Sequence, residues 1–214
     1  MFHKIFCSLA IIGAIAGTAA SAATVDVTVT DSGGAPAPNA VVSLAAGDTS
    51  AVVASRVPEK SIIDQRHETF LPLVVVVRKG GEVVFTNNDV TMHQVYSFSP
   101  IRQFQFEIDK GQVSKPVIFE KPGVAAIGCN IHDNMVAYVY VADAPFTVVT
   151  DATGHAEIRD VPDGGYLADV WHPQLRVGRK PAPSQFMVSG DRAKLNLSVP
   201  LVAMTAMKMH KSDY

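Results

Sequence analysis

Short segments in which apolar and polar residues alternate run through much of the chain, and this pattern most restricts its fold. Val25, Val27 and Val29 alternate with polar residues, and the segment 101–108 repeats the pattern. A period of two places one set of side chains on a single face of a β-strand. Glycine- and proline-rich turns separate the segments, and helical patterns are nearly absent. We therefore expect an all-β fold.

A loop of soft metal donors follows one of these apolar segments. Cys129, His132 and Met135 are spaced three residues apart, so that a thiolate, an imidazole and a thioether can converge on one ion. Such donors select copper. Zinc is the main chemical competitor, but a thioether contributes little to structural zinc sites. The methionine therefore favours copper.

His93 is the best candidate for a second imidazole ligand. It opens the apolar run 94–96 after a polar turn at 87–89, so we expect it at a strand end. Cys129 likewise ends an apolar segment, and one end of a β-sandwich could gather all the donors. Two His, one Cys and a weak axial Met are typical of copper electron-transfer sites. The alternative is that the cysteine is a small buried residue and the histidines are structural.

The segment 61–142 resembles the cupredoxins, the small blue copper proteins. The residues that carry the resemblance are Thr86, Asn87, His93, Val95, Phe119, Pro122, Gly123, Gly128, Cys129, His132 and Met135. The sequence around the histidines is also similar to a bacterial group labelled methylamine utilization proteins, with an amicyanin-like ligand loop. The resemblance implies a Greek-key β-sandwich that binds one type 1 copper ion. Its ligands would be His93, Cys129, His132 and Met135.

The resemblance also implies roles around the ligands. Asn87 would hold the ligand loop by a side-chain amide bond to the backbone beside Cys129, outside the metal's own ligands. His132 would be the partly exposed edge through which a partner protein is reached. The apolar candidates for a ring around it are Ile131, Met92 and Pro100.

The flanking segments have a different character and predict a second sandwich. After residue 144, short strands separated by Gly and Asp turns resemble a carboxypeptidase regulatory-like domain, carried by Val161, Pro162, Gly165, Tyr166, His172 and Pro173. The usual opening of that family is similar to 27–44. We therefore expect the cupredoxin domain, 51–143, to be inserted in a discontinuous sandwich or followed by it. The sandwich would comprise 23–50 plus 144–203. Insertion is tolerated when the ends of the inserted domain lie close together.

The first 22 residues have the features of a secretory signal peptide. Lys4 precedes an apolar run, 5–16, and small residues follow it. That run is too short to span a bilayer comfortably, and no later run is long enough, so we expect an exported, periplasmic protein that does not span the membrane. Cleavage would remove Cys7 and leave Cys129 without a disulfide partner. Either a bound metal or burial would protect that thiol.

Other possible donors are expected to be structural or solvated. His67 lies in a polar turn and is predicted at the surface, whereas His155 and His172 are predicted to be structural. The tail, 204–214, contains further donors without a pattern, and we expect it to be disordered and not a second copper site. These donors are Met204, Met207, Met209 and His210.

The balance of charged residues argues against two classes of binding partner. Lys and Arg total 18 against 20 Asp and Glu, which does not suggest nucleic-acid binding or strong attraction to a membrane surface.

The expected function is a periplasmic type 1 copper protein that carries single electrons between redox partners such as a dehydrogenase or a cytochrome. We expect no enzymatic activity, because a Cys thiolate and a Met would close the coordination of the metal. The oligomeric state is not predicted.

Three alternatives remain at this point. A periplasmic copper carrier or storage protein would bind the same ion and exchange it. A non-redox β-sandwich interaction module would depend on the flanking sandwich alone. A thiol hydrolase would pair Cys129 with His132 or His93, but then Met135 has no role and no oxyanion-hole motif is visible.

Overall fold

The computed structural model describes residues 22–47, 55–175 and 179–201. The regular secondary structure in these ranges consists of β-strands alone. The predicted all-β fold is confirmed. Most of the predicted signal segment and the tail 204–214 lie outside the described residues. No helix in the described part of the chain is long and apolar enough to cross a membrane. The strands are β1 (Ala22–Asp31), β2 (Val41–Ala46), β3 (Lys60–Gln65), β4 (Phe70–Leu71), β5 (Val74–Arg78), β6 (Gly81–Asn87), β7 (His93–Ser99), β8 (Arg102–Ile108), β9 (Val117–Phe119), β10 (Gly123–Cys129), β11 (Val136–Ala142), β12 (Phe146–Val149), β13 (His155–Pro162), β14 (Gly164–Trp171), β15 (Ser184–Val188) and β16 (Arg192–Val199).

The first two strands form sheets with the last five. One sheet has the order β13-β1-β16, and a second has the order β12-β2-β14-β15. Alternation in β1 turns Val25, Val27 and Val29 inward, where they pack with Leu44 and Phe146 in one buried cluster. The two sheets therefore share a hydrophobic core.

The chain leaves this core after β2 and returns to it beside the same strand. β12 pairs antiparallel with β2, so that Phe146 lies opposite Leu44 and Val149 lies opposite Val41. This pairing brings together two strands that are separated by about half the chain. It supports the predicted discontinuous sandwich, 23–50 plus 144–203, which remains a prediction.

The central strands build a separate pair of sheets. The larger has the order β5-β11-β10-β7-β8 and the smaller has the order β4-β3-β6-β9. Side chains from both sheets, including Phe85, Phe119, Val95 and Ile127, form one buried cluster between them. The central strands are thus a β-sandwich, and β7 and β10 lie side by side in its larger sheet.

A small aromatic cluster connects the two cores. Trp171 of β14 lies with its ring centroid 5.6 Å from Tyr138 and 5.9 Å from Tyr140, both on β11. Val41 and Val74 are buried in the same cluster. Because β11 begins directly after the donor loop, this contact joins the flanking core to a strand that supports the candidate site.

Candidate metal centre

Strand alternation turns His93 and Cys129 toward the same interior. On β7 the buried side chains include His93 and Val95, and on β10 they include Ile127 and Cys129. The two strands pair antiparallel with Cys129 opposite Val95. His93 is one inward position farther along β7, and its Nδ1 lies 3.6 Å from Sγ of Cys129.

A tight turn brings the second histidine back over this pair. The backbone N–H of Met135 donates to the carbonyl of His132 at 3.0 Å, which closes the loop between β10 and β11. At the start of the loop, the side-chain amide of Asn130 donates to Oε1 of Gln94 at 2.6 Å. The rings of His93 and His132 have centroids 5.1 Å apart. The loop therefore places its imidazole against the one on β7.

His93, Cys129 and His132 form a group in which one ligand atom from each residue lies within 4.8 Å of the others. Within the described ranges, this is the one group of three or more His, Cys, Asp or Glu side chains with that spacing. The structure thus brings together three of the four predicted ligands. They come from two strand ends and one loop.

Met135, the fourth predicted ligand, packs in the same hydrophobic core as Cys129. Its side chain is buried, at 3% exposure, in the same cluster as Cys129, Ile127 and Val95. The thioether at the end of the donor loop is thus packed in the same core as Cys129. Its role as a ligand remains a proposal.

The donors fit a bound metal ion. A soft metal with bonds of about 2.3 Å to sulfur and about 2.0 Å to nitrogen, at roughly tetrahedral angles, would hold these atoms about 3.6 Å apart. The observed distance from Sγ of Cys129 to Nδ1 of His93 is 3.6 Å. Nδ1 of His132 is buried and has no hydrogen-bond partner among the described residues. An unpartnered buried acceptor or donor is costly, and a metal ion would satisfy it.

The outer nitrogen of His93 contacts a carboxylate that sequence reasoning missed. Oδ2 of Asp89 lies 3.2 Å from Nε2 of His93 and also accepts the backbone N–H of Glu68 at 2.6 Å. The Glu68 N–H bond is the main reason that the pKa of Asp89 lies below its ordinary value, and the Val90 N–H and His93 add to it against the effect of burial. The missed signal was an acidic residue four positions before a predicted ligand.

The turn that carries Glu68 contacts His132 directly and His93 through Asp89. Its backbone N–H bonds to Asp89, and its side-chain Oε1 lies 3.4 Å from Nε2 of His132. His67 and Glu68 have φ values of 51° and 53°, in the left-handed region that non-glycine residues rarely adopt. His67 is exposed, as predicted. This turn, between β3 and β4, was not predicted to reach the site.

Asn87 holds the loop before His93 instead of the loop after Cys129. Its Nδ2 donates to the carbonyls of Thr91 at 2.8 Å and Ile108 at 2.9 Å. Its Oδ1 accepts the backbone N–H of Asp89 at 2.9 Å. The expected bond to the backbone beside Cys129 is thus replaced by bonds that shape the turn 87–93. Asn87 remains our proposed supporting residue, on the β7 side of the site.

The predicted apolar ring around His132 is only partly assembled. The His132 side chain is 19% exposed, and the exposed residues Ile131 and Met92 directly precede His132 and His93 in the sequence. Pro100 was predicted wrongly, because it follows the opposite end of β7 from His93. Seven residues of extended strand separate them by about 20 Å.

The other described histidines have structural hydrogen bonds, as predicted. Nδ1 of His155 lies 3.0 Å from Oγ1 of Thr28, and Nε2 of His172 lies 2.8 Å from the carbonyl oxygen of Pro38. Burial lowers the pKa of His172, which favours its neutral form. Both contacts tie N-terminal to C-terminal segments of the chain.

Three solved structures illustrate what the chain is similar to. A purple cupredoxin from Nitrosopumilus maritimus is 23% identical, with a TM-score of 0.35 over 38% of this chain and 99% of that chain. Amicyanin from Paracoccus versutus is 20% identical, with a TM-score of 0.35 over 46% and 91%. A copper-containing nitrite reductase from Thermus scotoductus is 21% identical, with a TM-score of 0.37 over 46% of this chain but only 25% of that chain. No family model and no curated protein matches the chain.

Proposed function

We propose that this protein is a periplasmic type 1 copper protein that carries single electrons between protein redox partners. The observation that carries the proposal is the convergence of Cys129 Sγ and His93 Nδ1, 3.6 Å apart, beside Nδ1 of His132, which is buried and has no hydrogen-bond partner in the part of the chain that the structure describes. The proposed ligands are His93, Cys129 and His132, with Met135 as the weak fourth. The chain would bind one copper ion.

The donor set favours copper over zinc. A thiolate, two imidazoles and a thioether match the soft ligands of copper electron-transfer sites, whereas structural zinc gains little from Met135. Bound copper would supply one-electron chemistry between its two common oxidation states. Cys129 would provide the thiolate, and His93 and His132 would provide nitrogen lone pairs.

The surrounding protein would keep these donors in place during electron transfer. His93 is 0% exposed and Cys129 is 3% exposed, so water has little access to that side of the group. β7 and β10 fix the two residues through ladder pairing, and the turn at Met135 fixes the loop. A frame that resists rearrangement suits an ion whose charge changes, because little reorganisation then accompanies each transfer.

We infer from the same packing that the protein is not an enzyme. Four donors around one ion would leave no open position for a substrate, in contrast to catalytic metal sites, which keep one. Electrons would instead pass through His132, the only one of the two ligand histidines with a measurable exposed fraction in the described structure. The partner is proposed to be a protein such as a dehydrogenase or a cytochrome. The periplasmic location rests on the predicted signal segment, 1–22.

One optical titration tests the proposal. The purified full chain is titrated with Cu(II), and the visible spectrum is recorded before and after reduction. We expect an intense thiolate-to-copper band that saturates at one ion per chain and bleaches reversibly on reduction. Copper uptake without an intense band would overturn the proposal and favour the interaction module.

A second measurement separates an electron carrier from a copper carrier. The loaded protein is mixed with a strong copper chelator, and electron self-exchange is measured on the same sample. We expect self-exchange to be faster than copper release by several orders of magnitude. Release that is as fast as self-exchange would support a carrier or storage protein instead.

A further inference from the structure

We propose that Asp89 is a positioning residue of the metal centre, which fixes the nitrogen that His93 turns to the metal and favours the oxidised ion. This inference rests on the proposed function. Oδ2 of Asp89 lies 3.2 Å from Nε2 of His93, on the side of the ring opposite Cys129. A neutral imidazole has one N–H, so donation from Nε2 leaves the Nδ1 lone pair directed at the ligand group.

The Asp89 carboxylate is itself held in a fixed position. The backbone N–H of Glu68 donates to Oδ2 at 2.6 Å, and the backbone N–H of Val90 donates to Oδ1 at 2.8 Å. The backbone N–H of Asp89 donates in turn to Oδ1 of Asn87 at 2.9 Å. Each carboxylate oxygen thus has a backbone donor, and the histidine contact is made by an oxygen that cannot easily turn away.

Burial makes this arrangement more than a surface ion pair. Asp89 is 5% exposed and His93 is 0% exposed. A carboxylate in such surroundings is costly unless it is paired, and the coupling between buried partners is only weakly screened by solvent. The carboxylate therefore acts on the ring at close range and in a poorly solvated space.

A carboxylate acceptor makes the imidazole a stronger electron donor. In metal sites, loss of such an outer partner lowers metal affinity by about 10- to 100-fold. Stronger donation stabilises the ion of higher charge more than the ion of lower charge. We therefore expect Asp89 to lower the reduction potential of the centre as well as to strengthen metal binding.

Glu68 provides a matched comparison within the same site. Its carboxylate Oε1 lies 3.4 Å from Nε2 of His132, so each of the two ligand histidines has a carboxylate near its outer nitrogen. The Glu68 side chain is 56% exposed, whereas that of Asp89 is 5% exposed. Exposed charges are screened by water and salt, so removal of the Glu68 charge should change the centre much less.

The first test compares Asp89→Asn with Glu68→Gln in the full chain. Asp89→Asn should weaken Cu(II) binding by about 10- to 100-fold and raise the reduction potential, and each tenfold loss of preference for the oxidised ion corresponds to about 59 mV. Glu68→Gln should change binding by less than about threefold, and less again at high salt. An unchanged potential in Asp89→Asn, or equal effects in both variants, would overturn the inference.

A second measurement uses the native protein without copper, so it does not depend on whether a variant folds. Nitrogen-15 NMR of the metal-free native protein, at a pH where the ring is neutral, reports which nitrogen of His93 carries the proton. We expect the Nε2–H tautomer, and an Nδ1–H tautomer would overturn the inference. Absence of the intense copper band in native protein would instead remove the proposed function, while the tautomer and the Zn²⁺ affinity of Asp89→Asn still test Asp89.

Discussion

Sγ of Cys129 lies 3.6 Å from Nδ1 of His93, although the two residues are 36 positions apart in the chain. The distance follows from the pairing of β10 with β7, which sets Cys129 opposite Val95 and leaves His93 at the next inward position. Strand register therefore determines the site before any metal is present. Predictions about the site can accordingly be tested in both the metal-free and the loaded protein.

Cys129→Ser should abolish the coloured centre. A serine hydroxyl is a hard and poorly ionised ligand, so the thiolate-to-copper band should disappear. Copper affinity should fall by more than the ~10- to 100-fold that follows loss of an outer partner. Ser97→Ala is a suitable control, because Ser97 is as buried as Cys129 but lies on β7, four residues away from His93. Colour that survives in Cys129→Ser would show that the thiolate is not a ligand.

Met135→Leu should retain the colour and raise the reduction potential. The substitution removes a donor that stabilises the oxidised ion but keeps most of the buried volume, so the free energy of unfolding should fall by less than about 1.5 kcal/mol. Protein-film voltammetry on the loaded variant provides the potential. Met187→Leu serves as the control, because Met187 is 67% exposed on β15. If the potential of Met135→Leu equals that of the native protein, Met135 is not a ligand.

Local sequence pattern was enough to predict an all-β fold and to place His93 and Cys129 at strand ends. Alternation in β10 and β7 turns Cys129 and His93 inward, and spacing alone brings His132 near Cys129. The contacts of Glu68 with Asp89 and His132 were missed, because they join separate turns. They depend on a backbone with positive φ at a non-glycine residue, which alternation and propensity do not encode.

Asn87→Ala should loosen the turn before β7 without removing the metal. The substitution leaves the carbonyls of Thr91 and Ile108 and the N–H of Asp89 without their side-chain partner. Unsatisfied buried groups cost ~1–3 kcal/mol each, and relaxation of the turn should limit the total loss of unfolding free energy to about 2–4 kcal/mol. Urea unfolding of the metal-free protein measures this loss.

The neighbouring residue provides the control for Asn87→Ala. Asn88 also donates a side-chain bond, at 2.7 Å to Oδ1 of Asp64, but in an exposed setting. Asn88→Ala should therefore cost less than about 1 kcal/mol. Complete loss of copper binding in Asn87→Ala, with the fold intact, would mean that Asn87 lies closer to the metal than the hydrogen bonds indicate.

Asp64 should make the stability of the metal-free protein depend on acid pH. Burial is the largest single effect and would raise the pKa of its carboxyl, but the hydrogen bonds from the Thr86 hydroxyl, the Asn88 amide and the Gln65 backbone, together with the Arg66 charge, lower the pKa below its ordinary value. Because the folded pKa lies below the unfolded value of about 3.9, the stabilising contribution is fully present above that value. It is lost as pH falls through the folded pKa. Urea unfolding between about pH 2 and 6 should show a shallower slope for Asp64→Asn, and an unchanged slope would contradict the assignment.

Gly128→Ala should destabilise the strand end that carries Cys129. A Cβ atom at Gly128 would lie 2.6 Å from Cζ and 2.7 Å from the hydroxyl oxygen of Tyr96, so the tyrosine ring must move. We expect a loss of about 1–3 kcal/mol in unfolding free energy, as for other overpacked sites, and a weaker thiolate-to-copper band. Gly165→Ala is the matched control, because the nearest atom to its added Cβ is Cε of Met187 at 3.8 Å.

A double-mutant cycle identifies the cause of the Gly128→Ala effect. If the clash with the Tyr96 ring is responsible, Tyr96→Ala should make Gly128→Ala nearly neutral, so that the two changes are strongly non-additive. The cycle is measured by urea unfolding of the metal-free chains and by the copper band of the loaded ones. Additive losses would mean that Gly128 is required for the backbone of β10 itself, and that the tyrosine ring does not restrain the position of Cys129.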